Sequence, residues 1–418
     1  MGQRDGTGEK SSSAIETHGG TNLSRFAKTN PLPLTLTRAQ PRPYPSSLTP
    51  LASALRPHCL TRERLRLWVP AASRSRLDIS GCPISVSEDD LDRIITVISH
   101  SHAASTRETY GSGLLVFHVF CDSRKIPEEQ RCPASSILLL AFIASCAGMY
   151  SGKTLANYFY GIRAWHLLHG QPWLVQQGEI TLALEGAKRL APPASKRPKR
   201  AAFTPDIISA IRATLDLDRP LHAAVFACLT TSFFTIARTG EFTVASLQNF
   251  RDNPQIHVRV DCMRQEEDRN GFKVTVFHLP RTKTSLDGED VYWAAQSGPA
   301  DPKTALLKHL AVNNPPSSAH LFSWRHPGGL RPLTRGEFLK CLQPAGERLG
   351  LEGLKGHGIR IGGTLEYLLR GVPFESVKAM GRWNSDAFVL YLGQHAVVLA
   401  PYLQDNPVLE PFTRLTLP

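Results

Sequence analysis

Apolar residues along this chain follow two periods: a long series at helical spacing and one short stretch of strand alternation. The helical series opens at Ser87, where Ser87-Glu88-Asp89-Asp90 reads as an N-cap with acids in the first turn. Leu91, Ile94, Ile95 and Ile98 follow on one stripe, which predicts a buried face. A second helix is expected over residues 105–121, burying Tyr110, Leu114, Phe117 and Phe120. Residues 133–148 are almost wholly apolar, so a third helix there belongs at the centre. Ser151 caps a fourth that Gly170 stops, and a fifth spans 179–190. These five define an all-helical domain over 86–190.

Helices over 205–215 and 221–234 open the second half and are followed by three strand candidates, 256–260, 272–279 and 290–293. In the middle candidate Phe272, Val274 and Val276 alternate with Lys273 and Thr275, and β-branched residues favour a pleat. Lys283 therefore falls in the turn between two antiparallel strands. Helices return over 302–311, 334–349, 357–369, 374–380 and 385–392. The expected fold class is mainly α, with residues 204–418 forming an α+β domain around a small antiparallel sheet.

Residues 1–85 are rich in Pro, Ser, Thr and Arg and carry no sustained period, as in Pro41-Arg42-Pro43-Tyr44-Pro45. Such sequence does not offset its ordering entropy, so a disordered tail is expected, with room for one short helix around 61–68. Between the domains, residues 191–203 contain Pro192-Pro193-Ala194-Ser195-Lys196-Arg197-Pro198-Lys199-Arg200, a basic linker. Lys196, Arg197, Lys199 and Arg200 suit a strap along a DNA backbone or a nuclear import signal, and an ordinary solvated linker reads the same way.

The formal charge of +12 points to a polyanionic partner. Its distribution weakens that inference. Residues 1–85 hold 12 Lys/Arg against 5 Asp/Glu and residues 86–200 hold 13 against 10, which leaves only +2 for the rest. The eight cysteines lie scattered without metal-ligand spacing and read as reduced, core-filling thiols. No run approaches about twenty apolar residues and none forms a secretory h-region, so neither a membrane span nor a secretory signal is expected.

The chemistry sits in the second half. In chain order it carries Arg238, Lys283, His357-Gly358-Ile359-Arg360, Gly381-Arg382-Trp383 and a lone Tyr391 closing a short apolar run. Two arginines from separate segments can clamp the non-bridging oxygens of one phosphate, because a planar fork gives two parallel bonds and stays charged. A lysine on a turn suits a leaving-group acid, a histidine can bond the phosphate or take a proton, and a phenol can attack. Each has a duller reading. Arg238 can cap a helix, Lys283 can be a solvated turn residue, His357 and Arg360 can merely start a helix, and Tyr391 can be packed.

Taken together these residues resemble the active site of tyrosine recombinases, the phage-integrase family. Arg238-Thr239-Gly240-Glu241 is similar to the family's first arginine with its orienting Glu three residues on. Leu279-Pro280-Arg281-Thr282-Lys283-Thr284 is similar to its mobile-lysine turn. Gly356-His357-Gly358-Ile359-Arg360-Ile361-Gly362-Gly363 is similar to its His-x-x-Arg box. The interval from Gly381 to Tyr391 resembles the family's glycine-to-tyrosine interval, which Tyr367 and Tyr402 do not match. Most members carry His or Trp after that glycine. Here Arg382 stands there with Trp383 next, either of which can serve: Arg382 facing phosphate, Trp383 as packing or an orienting N–H donor. The string from Gly381 to Phe388 resembles eukaryotic mobile-element recombinases of the Crypton and DIRS type.

The resemblance covers about residues 86–405. It implies a helical SAM-like core-binding domain, and on its fourth helix Lys153, Thr154, Asn157, Tyr158 and Arg163 form a set suited to phosphate and base-edge contacts that also reads as an ordinary solvated helix face. An integrase-type catalytic domain follows. The implied activity is site-specific breakage and rejoining of double-stranded DNA through a 3′-phosphotyrosine, by a homo-oligomer acting in the nucleus, with no metal or other cofactor. Two alternatives share the residues: a type IB topoisomerase-like enzyme, and a mobile-element-derived DNA-binding protein that no longer cuts.

Overall fold

A computed structural model of the chain describes residues 41–195, 201–350 and 355–383. The chain divides into two compact units, Met1–Arg197 and Pro198–Pro418.

The first unit is all-helical: α1 (Arg64–Leu67), α2 (Glu88–Ser99), α3 (Ala104–Ser123), α4 (Glu128–Arg131), α5 (Ser136–Cys146), α6 (Gly152–Leu168) and α7 (Gln177–Arg189). Its N-caps are largely those expected. Ser87 and Asp90 form a capping box on α2, and Ser151 accepts from Thr154 N–H at 3.2 Å on α6. The core joins Leu114 and Phe117 of α3, Leu139 and Phe142 of α5, and Phe159 and Trp165 of α6. α3 crosses α6 with almost no gap, since a methyl at Gly113 would lie 2.5 Å from the Tyr158 Cα.

Two expectations for this unit fail. The segment before Ser87 is folded from about residue 45: Trp68 is fully buried, and its carbonyl accepts from Trp165 Nε1–H at 2.6 Å. Arg64 donates to Gly111 O at 3.1 Å, and buried Arg56 pairs with Asp122 and Glu128. These anchors are single residues tied to distant partners, so no local period announces them. The apolar stripe of α2 is the second failure. Ile94 and Ile98 are exposed; Leu91 and Ile95 are only half-buried, and Ile95 is the one that packs on the core.

The second unit opens with α8 (Pro205–Thr214), α9 (Pro220–Phe234), α10 (Thr239–Phe242) and α11 (Leu247–Asp252). Strands β1 (Met263–Glu267), β2 (Lys273–Leu279) and β3 (Glu289–Ala294) form an antiparallel sheet in the order β1-β2-β3. Then come α12 (Pro302–Asn313), the hairpin β4 (Ser323–His326) and β5 (Gly329–Pro332), α13 (Arg335–Arg348), α14 (Gly356–Leu369) and α15 (Phe374–Met380). α9 is the spine, with every residue from Ala223 to Phe234 buried. The architecture is thus mainly helical with small antiparallel sheets.

The strands differ in detail from the alternation. Residues 256–260 form no strand; β1 starts at Met263 and is almost wholly exposed, so it is held by ladder bonds to β2 rather than by burial. β2 is covered on both faces at its centre, with Val276 buried on the expected face and Thr275 and Phe277 on the other. Phe272 is 71% exposed, and Thr275 and Phe277 lie opposite Trp293 and Val291 of β3. With β-branched residues on both faces, alternation alone does not say how far each is covered. Among the described residues the cysteines are free thiols, and no helix is long and apolar enough to cross a membrane.

Candidate active site

Three chain segments meet around the start of α14. The first leaves the C-terminus of α9. Ile236 N–H donates to Phe233 O at 3.1 Å and Ala237 N–H to Ser232 O at 3.0 Å, a Schellman ending whose left-handed residue is Ile236 rather than glycine, with φ 50°. A buried β-branched residue in that region is strained and needs support from its surroundings. The chain then turns into α10 with Arg238 at its N-cap. Glu241 reaches back, accepting from Arg238 N–H at 2.8 Å and from its Nη1 at 2.9 Å. The Arg238 side chain remains 29% exposed and Glu241 only 6%.

The second segment is α14 itself. Its glycines allow near-contact with neighbouring backbone: a methyl at Gly362 would sit 2.0 Å from Phe203 O, and one at Gly363 2.1 Å from Phe233 O. At its head Gly356 O accepts from Thr239 Oγ1–H at 2.9 Å, which ties α14 to α10 beside Arg238. His357 is half-buried there. Arg360 is buried, at 2% exposed. It donates from Nη1 to Ile236 O at 2.8 Å and from Nη2 to Gly381 O, and the Trp383 ring lies over its guanidinium at 4.3 Å. Arg360 thus fastens the strained end of α9 to the end of α15.

The third segment repeats the device. α15 ends with Arg382 N–H donating to Ala379 O at 2.9 Å and Trp383 N–H to Lys378 O at 3.2 Å, with Arg382 at φ 55°. A methyl at Gly381 would strike the Trp383 ring, 1.7 Å away, so glycine is what lets Trp383 fold back over Arg360. The side chain of Arg382 is 8% exposed. It donates to Glu241 Oε2 at 2.6 Å and faces Glu289 Oε2 at 3.5 Å. Arg382, expected to face phosphate, is paired with two carboxylates in this structure. Trp383 lies with its ring over the Arg360 guanidinium.

Glu289 was not singled out by the sequence. At the start of β3 it accepts hydrogen bonds from Thr282 Oγ1 and Thr284 Oγ1, on either side of Lys283, which is exposed in the β2–β3 turn. A chain of polar contacts thus runs from Arg238 through Glu241, Arg382 and Glu289 to the lysine turn. Burial pushes the Glu241 carboxyl up, but the Arg382 charge, then the bonds from Arg382 and Arg238, outweigh it and hold its pKa below the ordinary value. No pattern along the chain marks Glu289, because its partner Arg382 lies far away in sequence.

Tyr391 lies outside the described residues, as does Tyr402. Tyr367, the described tyrosine nearest in sequence, donates its hydroxyl to Phe234 O at 2.8 Å, and burial pushes its pKa up to about 12. It is not placed to act as a nucleophile. In the first unit Lys153 and Arg163 of α6 are exposed, Thr154 and Asn157 half-buried, and Tyr158 packs against Gly113. Thr154 Oγ1 lies 2.8 Å from the Ser151 hydroxyl, so it belongs to the cap. Lys196, Arg197, Lys199 and Arg200 lie outside the described residues. No group of three or more metal-ligating side chains occurs among the described residues.

No protein-family model matches the sequence, and no curated protein matches it. Solved structures do. The fold is similar to that of the XerH site-specific recombinase bound to palindromic difH substrate in a post-cleavage complex. That match has 14% identity and TM-score 0.52, and covers 80% of this chain and 90% of that one. The XerH pre-cleavage complex on difH substrate matches at 15% identity and TM-score 0.49, over 83% and 94% of the two chains. A Flpe–Holliday junction complex matches at 12% identity and TM-score 0.32, over 72% and 78%. The similarity is one of fold, an all-helical unit followed by a mainly helical unit with small antiparallel sheets, as in the XerH site-specific recombinase.

Proposed function

We propose that the protein is a site-specific DNA recombinase that cuts and rejoins double-stranded DNA through a 3′-phosphotyrosine at Tyr391. The observation that carries this reading is the continuous polar chain joining Arg238, the base of α15 and the Lys283 turn. That this polar chain links residues from three separate segments supports their acting on one phosphodiester. Arg238, its side chain 29% exposed, offers its free donors to a non-bridging oxygen. The phenol oxygen of Tyr391 attacks phosphorus and gives its proton to His357. The bond to the 5′ oxygen breaks, and Lys283 protonates that oxygen. The new ester conserves the energy of the old one, so rejoining is the same step reversed, and no metal or nucleotide is called for.

The reading extends to a homo-oligomer on DNA, to Lys153 and Arg163 as contacts of the helical unit, and to the nucleus, which the basic linker supports. The likeness of the segment from Gly381 to Phe388 supports an origin in a Crypton- or DIRS-type element. One observation favours the non-cutting alternative: both terminal nitrogens of Arg360 are already engaged by carbonyls, so its fork does not present itself as the second half of a phosphate clamp. A nicked suicide substrate decides between them. Covalent protein–DNA adduct forming in EDTA without ATP is the expected result. DNA binding without adduct favours the non-cutting protein, and a strict need for magnesium excludes the phosphotyrosine route.

A further inference from the structure

The first unit contains a cavity of about 230 Å³ that the strand chemistry does not use. Its floor is apolar, made by Leu65, Ile98, Leu167 and Leu168. Tyr110 and Tyr160 form walls, and four guanidiniums, Arg62, Arg66, Arg107 and Arg163, surround them. No carboxylate lines it. Glu63 forms long ion pairs with Arg62 at 3.8 Å and Arg66 at 3.9 Å, leaving Arg107 and Arg163 without a carboxylate partner among the described ion pairs. Arg107 Nε is buried with no hydrogen-bond partner among the described residues. Tyr160 and Leu167 are each 42% exposed, an aromatic and an aliphatic surface left open beside those cations.

We infer that this cavity takes one unpaired base of DNA, the ring stacked on Tyr160 over the leucine floor and the flanking phosphates on the arginines. The inference rests on the reading of DNA as partner. Each half of the lining excludes a simpler occupant. A duplex backbone is a ridge of phosphates that would meet the arginines and leave the apolar floor empty. An uncharged apolar ligand would leave the buried Arg107 Nε donor without an acceptor. A base with its two phosphates satisfies both, since every base has a face to stack and every phosphate has oxygens for a guanidinium. A base already unpaired is favoured, because a paired one must first be unstacked. Arg62 and Arg66 come from the segment before Ser87, so the site gives that segment a function as well as a fold.

The test uses the full chain carrying Tyr391→Phe, which keeps any binding non-covalent, on three duplexes of one sequence. One is fully paired, one has a single unpaired adenosine, and one has an abasic nucleotide at the same bulge. The unpaired adenosine should tighten binding roughly tenfold over the paired duplex, and the abasic bulge should bind like the paired one. Tyr160→Ala should erase that preference and Tyr160→Phe should keep it; Tyr160 is exposed enough that neither should disturb folding. Equal binding to all three duplexes overturns the site and leaves the recombinase reading standing. So does an advantage that persists in the abasic bulge or in Tyr160→Ala. Failure to bind any of the three overturns both.

Discussion

A lysine at position 360 would reach one of the two carbonyls that Arg360 now holds, and would lose the flat contact with Trp383. A buried carbonyl left without a donor costs about 1–3 kcal/mol. Arg360→Lys should therefore lower the urea midpoint by an amount equivalent to roughly 2 kcal/mol with an unchanged slope. Arg281→Lys, on the exposed turn, should fall within about 0.5 kcal/mol of the wild type. If Arg360→Lys keeps full stability and loses only cleavage, Arg360 acts on phosphate and not as the fastener between α9 and α15. Glu241 gives a pH-dependent counterpart. Its folded pKa is depressed, so the stability it contributes is present above the unfolded carboxyl value near pH 4.3 and is lost as pH falls through the folded value. Glu241→Gln should thus be destabilised by about 3 kcal/mol at pH 7, and denaturant melts should show the gap to wild type narrowing below about pH 4.

Helix α14 shows what an element can reveal through its sequence and what it cannot. Helix propensity says that alanine for glycine stabilises by about 1 kcal/mol. At Gly362 the opposite should hold, because the new methyl would meet Phe203 O at 2.0 Å, a backbone atom that cannot step aside. Gly362→Ala should lose about 2 kcal/mol net, whereas Gly240→Ala in α10, with open space around it, should not. Melting both variants checks the pair. The need for small residues in α14 was legible beforehand, since glycines clustered on a helix advertise close approach. So was the lysine turn, because two β-rich segments flanked it. The parts that stayed hidden are contacts without a local pattern: Glu289 meeting Arg382 from far along the chain, Ile236 and Arg382 held left-handed where glycine is usual, and Trp68 anchoring a segment that looked unstructured.

Across the whole chain, charge matters more by placement than by sum. The net +12 is concentrated toward the N-terminal segment and the basic linker, while residues beyond 200 are nearly neutral. Binding strength should then depend on the linker as well as on the folded units. Replacing Lys196, Arg197, Lys199 and Arg200 with alanine should reduce the slope of log affinity against log salt by about three units if they lie along phosphates. An unchanged slope with lost nuclear accumulation would assign them to import alone.

The central claim is that Tyr391 becomes covalently joined to DNA, and peptide mapping of the adduct tests it most directly. Wild-type protein trapped on a nicked substrate should carry its nucleotide on the peptide containing Tyr391. Tyr391→Phe should give no adduct while binding DNA nearly as well, and Tyr402→Phe should react normally. Adduct from Tyr391→Phe, or a nucleotide mapped to any other residue, would contradict the account.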